Sequence, residues 1–321
     1  MTSISRRNLV FSTTAAAAAF GLNGPLEFIS PAAAQKAGSG SGSGTAPKVM
    51  GFKRFKIGDA EVTTIYDGIW EKAHDAAFIK NASIDDTKKA LVAAKMTDAH
   101  VPIPFTVTVV KIKGKYTMFD SGTGGQVQPT AGLMMSQNMK AAGIDPAKIS
   151  TIIVTHYHPD HIGGDLFGTS IEGIATLLEK KGVKIHAHRD EAQGVKYITG
   201  ISDSDLALHD GSDQLMVGGI GITFVHTPGH TPGSQCFLVE GCLVSGDTLF
   251  VGGCGRVDLP GSDPEEMYRT LTGRLSKLPG ETVLYPGHHY GPTPRSTLAT
   301  ERRTNHYLQV PDMETWLGMM G

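Results

Sequence analysis

The chain has 321 residues and a formal net charge of −2, long enough for one large domain or two small ones, with adequate apolar content for a core. No block of five or more like charges occurs, so no polyanion-binding surface is indicated and nucleic acid is not an expected partner. Cys236, Cys242 and Cys254 are odd in number and lack C-x-x-C spacing, which argues against a disulfide scaffold.

Ser5-Arg6-Arg7-Asn8-Leu9 is a twin-arginine pattern, followed by an alanine-rich run from Phe11 to Leu22 and a small-residue site, Ala32-Ala33-Ala34. Residues 1–34 therefore read as an export signal handled by the twin-arginine export machinery, with a periplasmic or secreted product. The apolar run is shorter than the roughly 20 residues of a membrane span, so no stable membrane anchor is expected after signal removal. Residues 35–47 contain Gly38-Ser39-Gly40-Ser41-Gly42-Ser43-Gly44 and read as a flexible linker. A catalytic domain is expected over 48–321.

Within that body, Phe52 to Asp67 predicts two strands joined at Gly58-Asp59, and Thr106 to Asp120 predicts two more flanking Lys113-Gly114. Between them, Ile84 to Lys95 has helical periodicity behind a capping Ser83. A helix over Leu133 to Ala142, stopped by Gly143, precedes the wholly apolar strand Thr151-Ile152-Ile153-Val154. A helix from about Ser170 to Lys181, a strand from Lys184 to His188 and a helix from Asp190 to Ile198 follow. From Gly221 the strand pattern resumes as ITFVH, QCFLVE and CLVSGD. Asp263-Pro264-Glu265-Glu266 opens a helix to about Leu278. Strand Thr282 to Tyr285 then leads to a last helix from near Ser296. The alternation predicts an α/β fold, an αββα sandwich of two mixed β-sheets with outer helices.

Three loops share one construction, in which an apolar strand ends and histidine follows among glycines. They are Thr155-His156-Tyr157-His158-Pro159-Asp160-His161-Ile162-Gly163-Gly164, His226-Thr227-Pro228-Gly229-His230, and Pro286-Gly287-His288-His289. Ser245-Gly246-Asp247-Thr248 adds a carboxylate in the same setting. Imidazole and carboxylate without thiolate suit Zn²⁺ or Fe²⁺ better than Ca²⁺ or Mg²⁺. In an extended loop His156 and His158 point the same way and could share one ion, while Asp160 and His161 could face a second.

The H-x-H-x-D-H block, the later glycine-histidine, the G-D-T and the final P-G-H together resemble the metallo-β-lactamase superfamily, in the expected order from roughly Phe52 to Leu308. That resemblance implies two Zn²⁺ ions, with Fe or mixed Zn/Fe as variants. It puts His156, His158 and His230 on the first ion, Asp160, His161 and His288 on the second, and Asp247 across both. Asp120, in Phe119-Asp120-Ser121-Gly122, matches the strand-end aspartate that holds a ligand rather than the metal. His226, His186 and His188 are expected to be structural, and His289 to lie beside the ligands or at the surface. His74, His100, His209 and His306 stand alone in the sequence and are taken as surface or core residues.

Two ions roughly 3.5–4 Å apart would hold a water between them and lower its pKa toward about 7, the chemistry of hydrolysis. The resemblance gives Asp160 the task of orienting that water and moving its proton. Gly253-Cys254-Gly255-Arg256-Val257-Asp258 and Pro286-Gly287-His288-His289-Tyr290 resemble the glyoxalase II and persulfide dioxygenase branch, which implies substrate contacts for Arg256 and Tyr290. Fewer than forty residues follow His288, short of the helical domain with which glyoxalase II binds glutathione. The expected activity is hydrolysis of a small ester, thioester or lactone; the alternatives are a mononuclear iron persulfide dioxygenase and a metal-binding protein without turnover.

Overall fold

The computed structural model describes residues 51–320 apart from 81, 95, 125 and 128–132; the segments expected to be an export signal and a linker lie outside the described residues. The first half runs β1 (Phe52–Ile57), β2 (Ala60–Lys72), α1 (Ile84–Ala93), β3 (Val101–Ile112), β4 (Lys115–Phe119), α2 (Leu133–Ala141), β5 (Ile149–Ile153) and a one-turn α3 (Pro159–Ile162). Next come β6 (Gly164–Leu166), β7 (Thr169–Ile171), α4 (Ile174–Lys181), β8 (Lys184–His188), α5 (Ala192–Thr199) and β9 (Leu206–His209). The second half has β10 (Gln214–Val217), β11 (Ile220–His226), β12 (Gln235–Val239), β13 (Cys242–Gly246), β14 (Leu249–Phe250), β15 (Gly253–Cys254) and α6 (Pro264–Arg269). It closes with β16 (Val283–Pro286), β17 (Ser296–Thr297), α7 (Leu298–Thr304) and α8 (Met313–Met320).

These elements build the expected layers. One sheet has seven strands in the order β1-β2-β3-β4-β5-β8-β9, the other six in the order β10-β11-β12-β13-β16-β17. Both are mixed: β4, β5, β8 and β9 run parallel, as do β13 and β16, whereas the hairpins are antiparallel. Val62, Val110, Phe119 and Ile153 of the first sheet pack against Phe224, Phe237, Val244 and Tyr285 of the second. The outer face of the first sheet packs through Ile152 and Ile185 on Met139, Ile174 and Val195. Leu243 and Leu284 on the far side of the second pack on Met267, Leu298 and Trp316. Every strand near the middle of either sheet is thus covered on both faces, which is why Thr151 to Val154 reads as an unbroken apolar run.

Two expectations need correction. The helix read from Ser170 begins at Ile174, because Thr169–Ile171 pairs antiparallel with Gly164–Leu166 as a small hairpin beside the histidine loop. β9 and β10 add two strands without a sequence signal: each is four residues long, with mixed polarity, too short for a period-2 pattern to emerge. By contrast α1 starts where its cap indicates, with the Ser83 hydroxyl accepting the Asp86 N–H at 3.1 Å.

β2 is bulged between Tyr66 and Gly68, and Asp67 at the bulge is fully buried. Its Oδ2 accepts the Thr123 N–H at 2.5 Å and the Thr123 hydroxyl at 3.0 Å, pinning the loop that follows β4, while Oδ1 has no hydrogen-bond partner. Burial, opposed by those bonds, pushes its carboxyl up to about 7. The native state therefore binds a proton that the unfolded chain releases near pH 4, so stability falls as pH rises from about 4 to about 7. Asp67→Asn is expected to flatten that slope, raising stability at pH 8 relative to pH 5 by about 3 kcal/mol compared with wild type. Urea unfolding of both proteins at the two pH values checks this; parallel pH profiles would refute it.

Candidate metal centre

The site forms where parallel strands end side by side. Asp120 follows β4, residues 155–161 follow β5, Asp247 follows β13 and His288 follows β16. In open α/β sheets this carboxyl edge is where loops can converge on a ligand without breaking the ladder. Pro159 opens α3 with His158 in the cap position. This single turn separates the extended His156-Tyr157-His158 stretch from Asp160 and His161. Gly287 admits the cluster, since a Cβ there would lie 2.7 Å from Asp247 Oδ1 and 3.0 Å from His161 Cε1.

Outward hydrogen bonds determine which ring nitrogen faces inward. His230 Nδ1 donates to the Arg256 carbonyl at 2.7 Å and His288 Nδ1 to the Pro104 carbonyl at 2.8 Å. His161 Nδ1 donates to Asp120 Oδ2 at 2.8 Å. The Thr155 hydroxyl donates to the same Asp120 oxygen at 2.7 Å, so at 3.0 Å it accepts from His156 Nδ1. Each neutral ring then turns a bare Nε2 inward. His156 Nε2 and His230 Nε2 lie 3.1 and 2.9 Å from His158 Nδ1, three nitrogens that one proton cannot satisfy. His161 Nε2 lies 3.3 Å from Asp247 Oδ1, and both atoms are buried without a hydrogen-bond partner. His288 Nε2 lies 3.2 Å from Asp247 Oδ2 and 3.5 Å from Asp160 Oδ2.

Imidazole nitrogens converging on one point, and two carboxylates sharing a buried site, need positive charge between them, from metal ions or from protons on His161 and His288. The residues therefore fit a metal centre. His156, His158 and His230 form one group of ligand atoms within 4.8 Å of one another; Asp160, His161 and His288 form another, and Asp247 joins His156 and His161 in a third. Charge divides the site the same way. Burial, with repulsion among the imidazoles, holds His156 and His158 well below the usual histidine range, and burial also lowers His230. Burial pulls His161 and His288 down as well, but Asp247 and Asp160 outweigh it and raise both. Asp247 is held well below the usual carboxylate range: burial opposes ionisation, and His288 and His161 overcome it.

The remaining candidates sit around this cluster. Asp120 adopts a left-handed backbone, φ 60°, a conformation tolerated where surroundings enforce it. It accepts the Thr155 N–H at 2.7 Å besides the Thr155 hydroxyl and His161. Tyr290 is buried and stacks on His288 with centroids 5.2 Å apart; burial, then Asp247 and Asp160, keep its phenol protonated well above the usual range. The Arg256 guanidinium makes two 2.8 Å bonds to Asp258 and lies over the Phe78 ring, while its carbonyl holds His230.

His188, Asp190 and His226 form a further group, but the two rings stack at 14° with centroids 4.1 Å apart. In-plane lone pairs of parallel rings do not converge on one ion, and His226 Nε2 is bonded to the Pro232 carbonyl at 2.8 Å. His186 is likewise bonded to His209 at 2.8 Å. Sequence reading missed Thr155 and the carbonyls of Pro104 and Arg256. Backbone oxygens leave no trace in residue identity, though a threonine preceding the first histidine was visible.

The sequence profile of the Metallo-beta-lactamase superfamily matches residues 103–288. The Bacillus subtilis "Probable metallo-hydrolase YqgX" is 30% identical over 60% of this chain and 86% of its own length. A "Hydroxyacylglutathione hydrolase" of Idiomarina loihiensis is 36% identical, the match spanning 56% of this chain and 58% of that protein. Among solved structures, the dizinc quorum-quenching lactonase AidC superposes with TM-score 0.58 at 18% identity, covering 77% of this chain and 93% of that one. ETHE1 from Myxococcus xanthus superposes with TM-score 0.52 at 22% identity over 67% of this chain and 84% of that one. At such identities the likeness is one of fold.

Proposed function

Because this chain belongs to the metallo-beta-lactamase superfamily, we propose that it is a metal-dependent hydrolase of small esters, thioesters or lactones. The observation that carries this reading is the set of five imidazole nitrogens and two carboxylates aimed inward at one buried spot. His156, His158 and His230 would hold one ion, Asp160, His161 and His288 a second, and Asp247 both. Bound there, two divalent ions supply a nucleophilic water at neutral pH and polarise the scissile carbonyl. Asp160, the more exposed of the two inward carboxylates, takes the proton of the attacking water. Tyr290, kept as a phenol, donates a hydrogen bond to the substrate. The relatives named as hydroxyacylglutathione hydrolase and metallo-hydrolase support hydrolysis as the reaction class. The twin-arginine pattern puts that reaction outside the cytoplasm in this reading.

Around His288 the wall is aromatic, and further out Lys72 lies over the Trp70, Phe78 and Phe167 rings and Arg256 over Phe78. Phe105, Phe250 and Tyr290 contact its ring and share a cluster with Trp70 and Phe78. Phe167, 69% exposed at the tip of the β6–β7 hairpin, extends the ridge by packing on both Trp70 and Phe78. A substrate with an apolar acyl group suits this wall better than a small polar one. The test is a panel of p-nitrophenyl esters of increasing acyl length, lactones, S-lactoylglutathione and a penicillin, with metal content measured alongside. About two ions per chain and chelator-sensitive turnover rising with acyl length are expected. One iron per chain with oxygen uptake on glutathione persulfide would make the protein a dioxygenase instead, and metal binding with no turnover would refute the enzyme reading.

A further inference from the structure

We propose that Glu191 is a positioning residue that locks the two histidine loops together so that His156, His158 and His230 can share one ion. The proposal rests on the reading of these three histidines as ligands. Glu191 has no exposed surface and ends the short 3-10 turn Arg189–Glu191 between β8 and α5. Its Oε2 accepts the backbone N–H of Tyr157 at 2.7 Å, and Tyr157 stands between His156 and His158. Its Oε1 accepts the Thr231 hydroxyl and the Gly233 N–H, both at 2.7 Å, and Thr231 directly follows His230. Three donors from two loops thus end on one buried carboxylate that belongs to neither loop.

The approach is close. A Cβ on Gly233 would lie 2.7 Å from the Glu191 nitrogen and 2.8 Å from its Cγ, so glycine is needed there. The loops also share a backbone bond, Gln235 N–H to the Thr155 carbonyl at 3.0 Å, but this lies at the base of the loops, before His156 and after His230. Between the tips, the 2.9 Å separation of His158 Nδ1 and His230 Nε2 depends on what Glu191 holds. Burial raises the Glu191 carboxyl to about 7, and the bonds from Thr231, Gly233 and Tyr157 oppose that rise. A buried carboxyl is costly unless its oxygens are bonded, and the bonds that offset the cost here all come from the two histidine loops.

Glu191→Gln keeps the shape but has one acceptor oxygen. Its NH₂ must face either the Tyr157 N–H or the Thr231 and Gly233 donors, and one loop is released. Zinc affinity, read by competition with a chromophoric chelator, is expected to fall by about 10- to 100-fold, while the metal-free protein stays folded by circular dichroism. Gly233→Ala, which pushes the same loop off an intact carboxylate, is expected to weaken zinc in the same way. Wild type and both variants binding zinc equally would overturn the role of Glu191. Wild type that binds no zinc would instead overturn the ligand reading beneath it. Should Glu191→Gln fail to fold, Glu191→Asp, with both acceptor oxygens one methylene short, decides by the same zinc titration.

Discussion

Asp247→Ala is expected to lower turnover by on the order of a thousandfold, about 4 kcal/mol of barrier, and to drop bound metal below two ions per chain. Asp247 is the inward group that both halves of the cluster share, within 3.3 Å of His161, 3.2 Å of His288 and 3.8 Å of His230. Alanine leaves those imidazoles with no anion between them, and the positive charge of two ions would go uncompensated. The metal-free variant should be no less stable than metal-free wild type. Without Asp247 the pull that raises His161 and His288 weakens and both rings can stay neutral, so no buried charge is stranded. Metal analysis with steady-state kinetics reads the first effect, and thermal melting of the stripped proteins the second. Full activity in the variant would remove Asp247 from the centre.

The second large effect belongs to Asp120→Asn, and its cause is a tautomer. Asp120 Oδ1 accepts the Thr155 N–H, while Oδ2 accepts from the Thr155 hydroxyl and His161 Nδ1. Asparagine can keep its oxygen on the Thr155 N–H, but its NH₂ then faces His161 Nδ1. The ring must become the acceptor there, which moves its proton to Nε2, the atom turned toward the metal site. Metal affinity and activity are each expected to fall by about 10- to 100-fold, with the fold intact by circular dichroism. Chelator competition compared across wild type, Asp120→Asn and Asp120→Glu separates the tautomer from simple loss of packing. An asparagine variant that holds metal as tightly as wild type would show that Asp120 does not set the His161 ring.

Much of this architecture is legible in the residues alone. The apolar run Thr151 to Val154 predicts a strand covered on both faces, and Ser83 marks the start of α1 by its capping chemistry. His156, His158, Asp160 and His161 can be grouped because six adjacent positions leave a chain little freedom in where it puts them. Other features have no local signal. The four-residue strands β9 and β10 are too short for a pattern, and Thr169–Ile171 becomes a strand through pairing with Gly164–Leu166. Arg256 reads as a substrate contact from its motif, but its pairing with Asp258 and its place over the distant Phe78 are set by the fold.

The layers of the sandwich and the set of side chains able to bind metal follow from residue identity, because periodicity and donor type belong to each residue. Which nitrogen of each ring faces inward, the place of Asp247 between the two groups, and the joining of the two histidine loops by Glu191 follow from the folded chain. Those outcomes depend on partners distant in the chain, Pro104 on His288 and Glu191 on Tyr157 and Thr231. Hydrogen-bond direction is set by such neighbours in space, and no residue carries it alone.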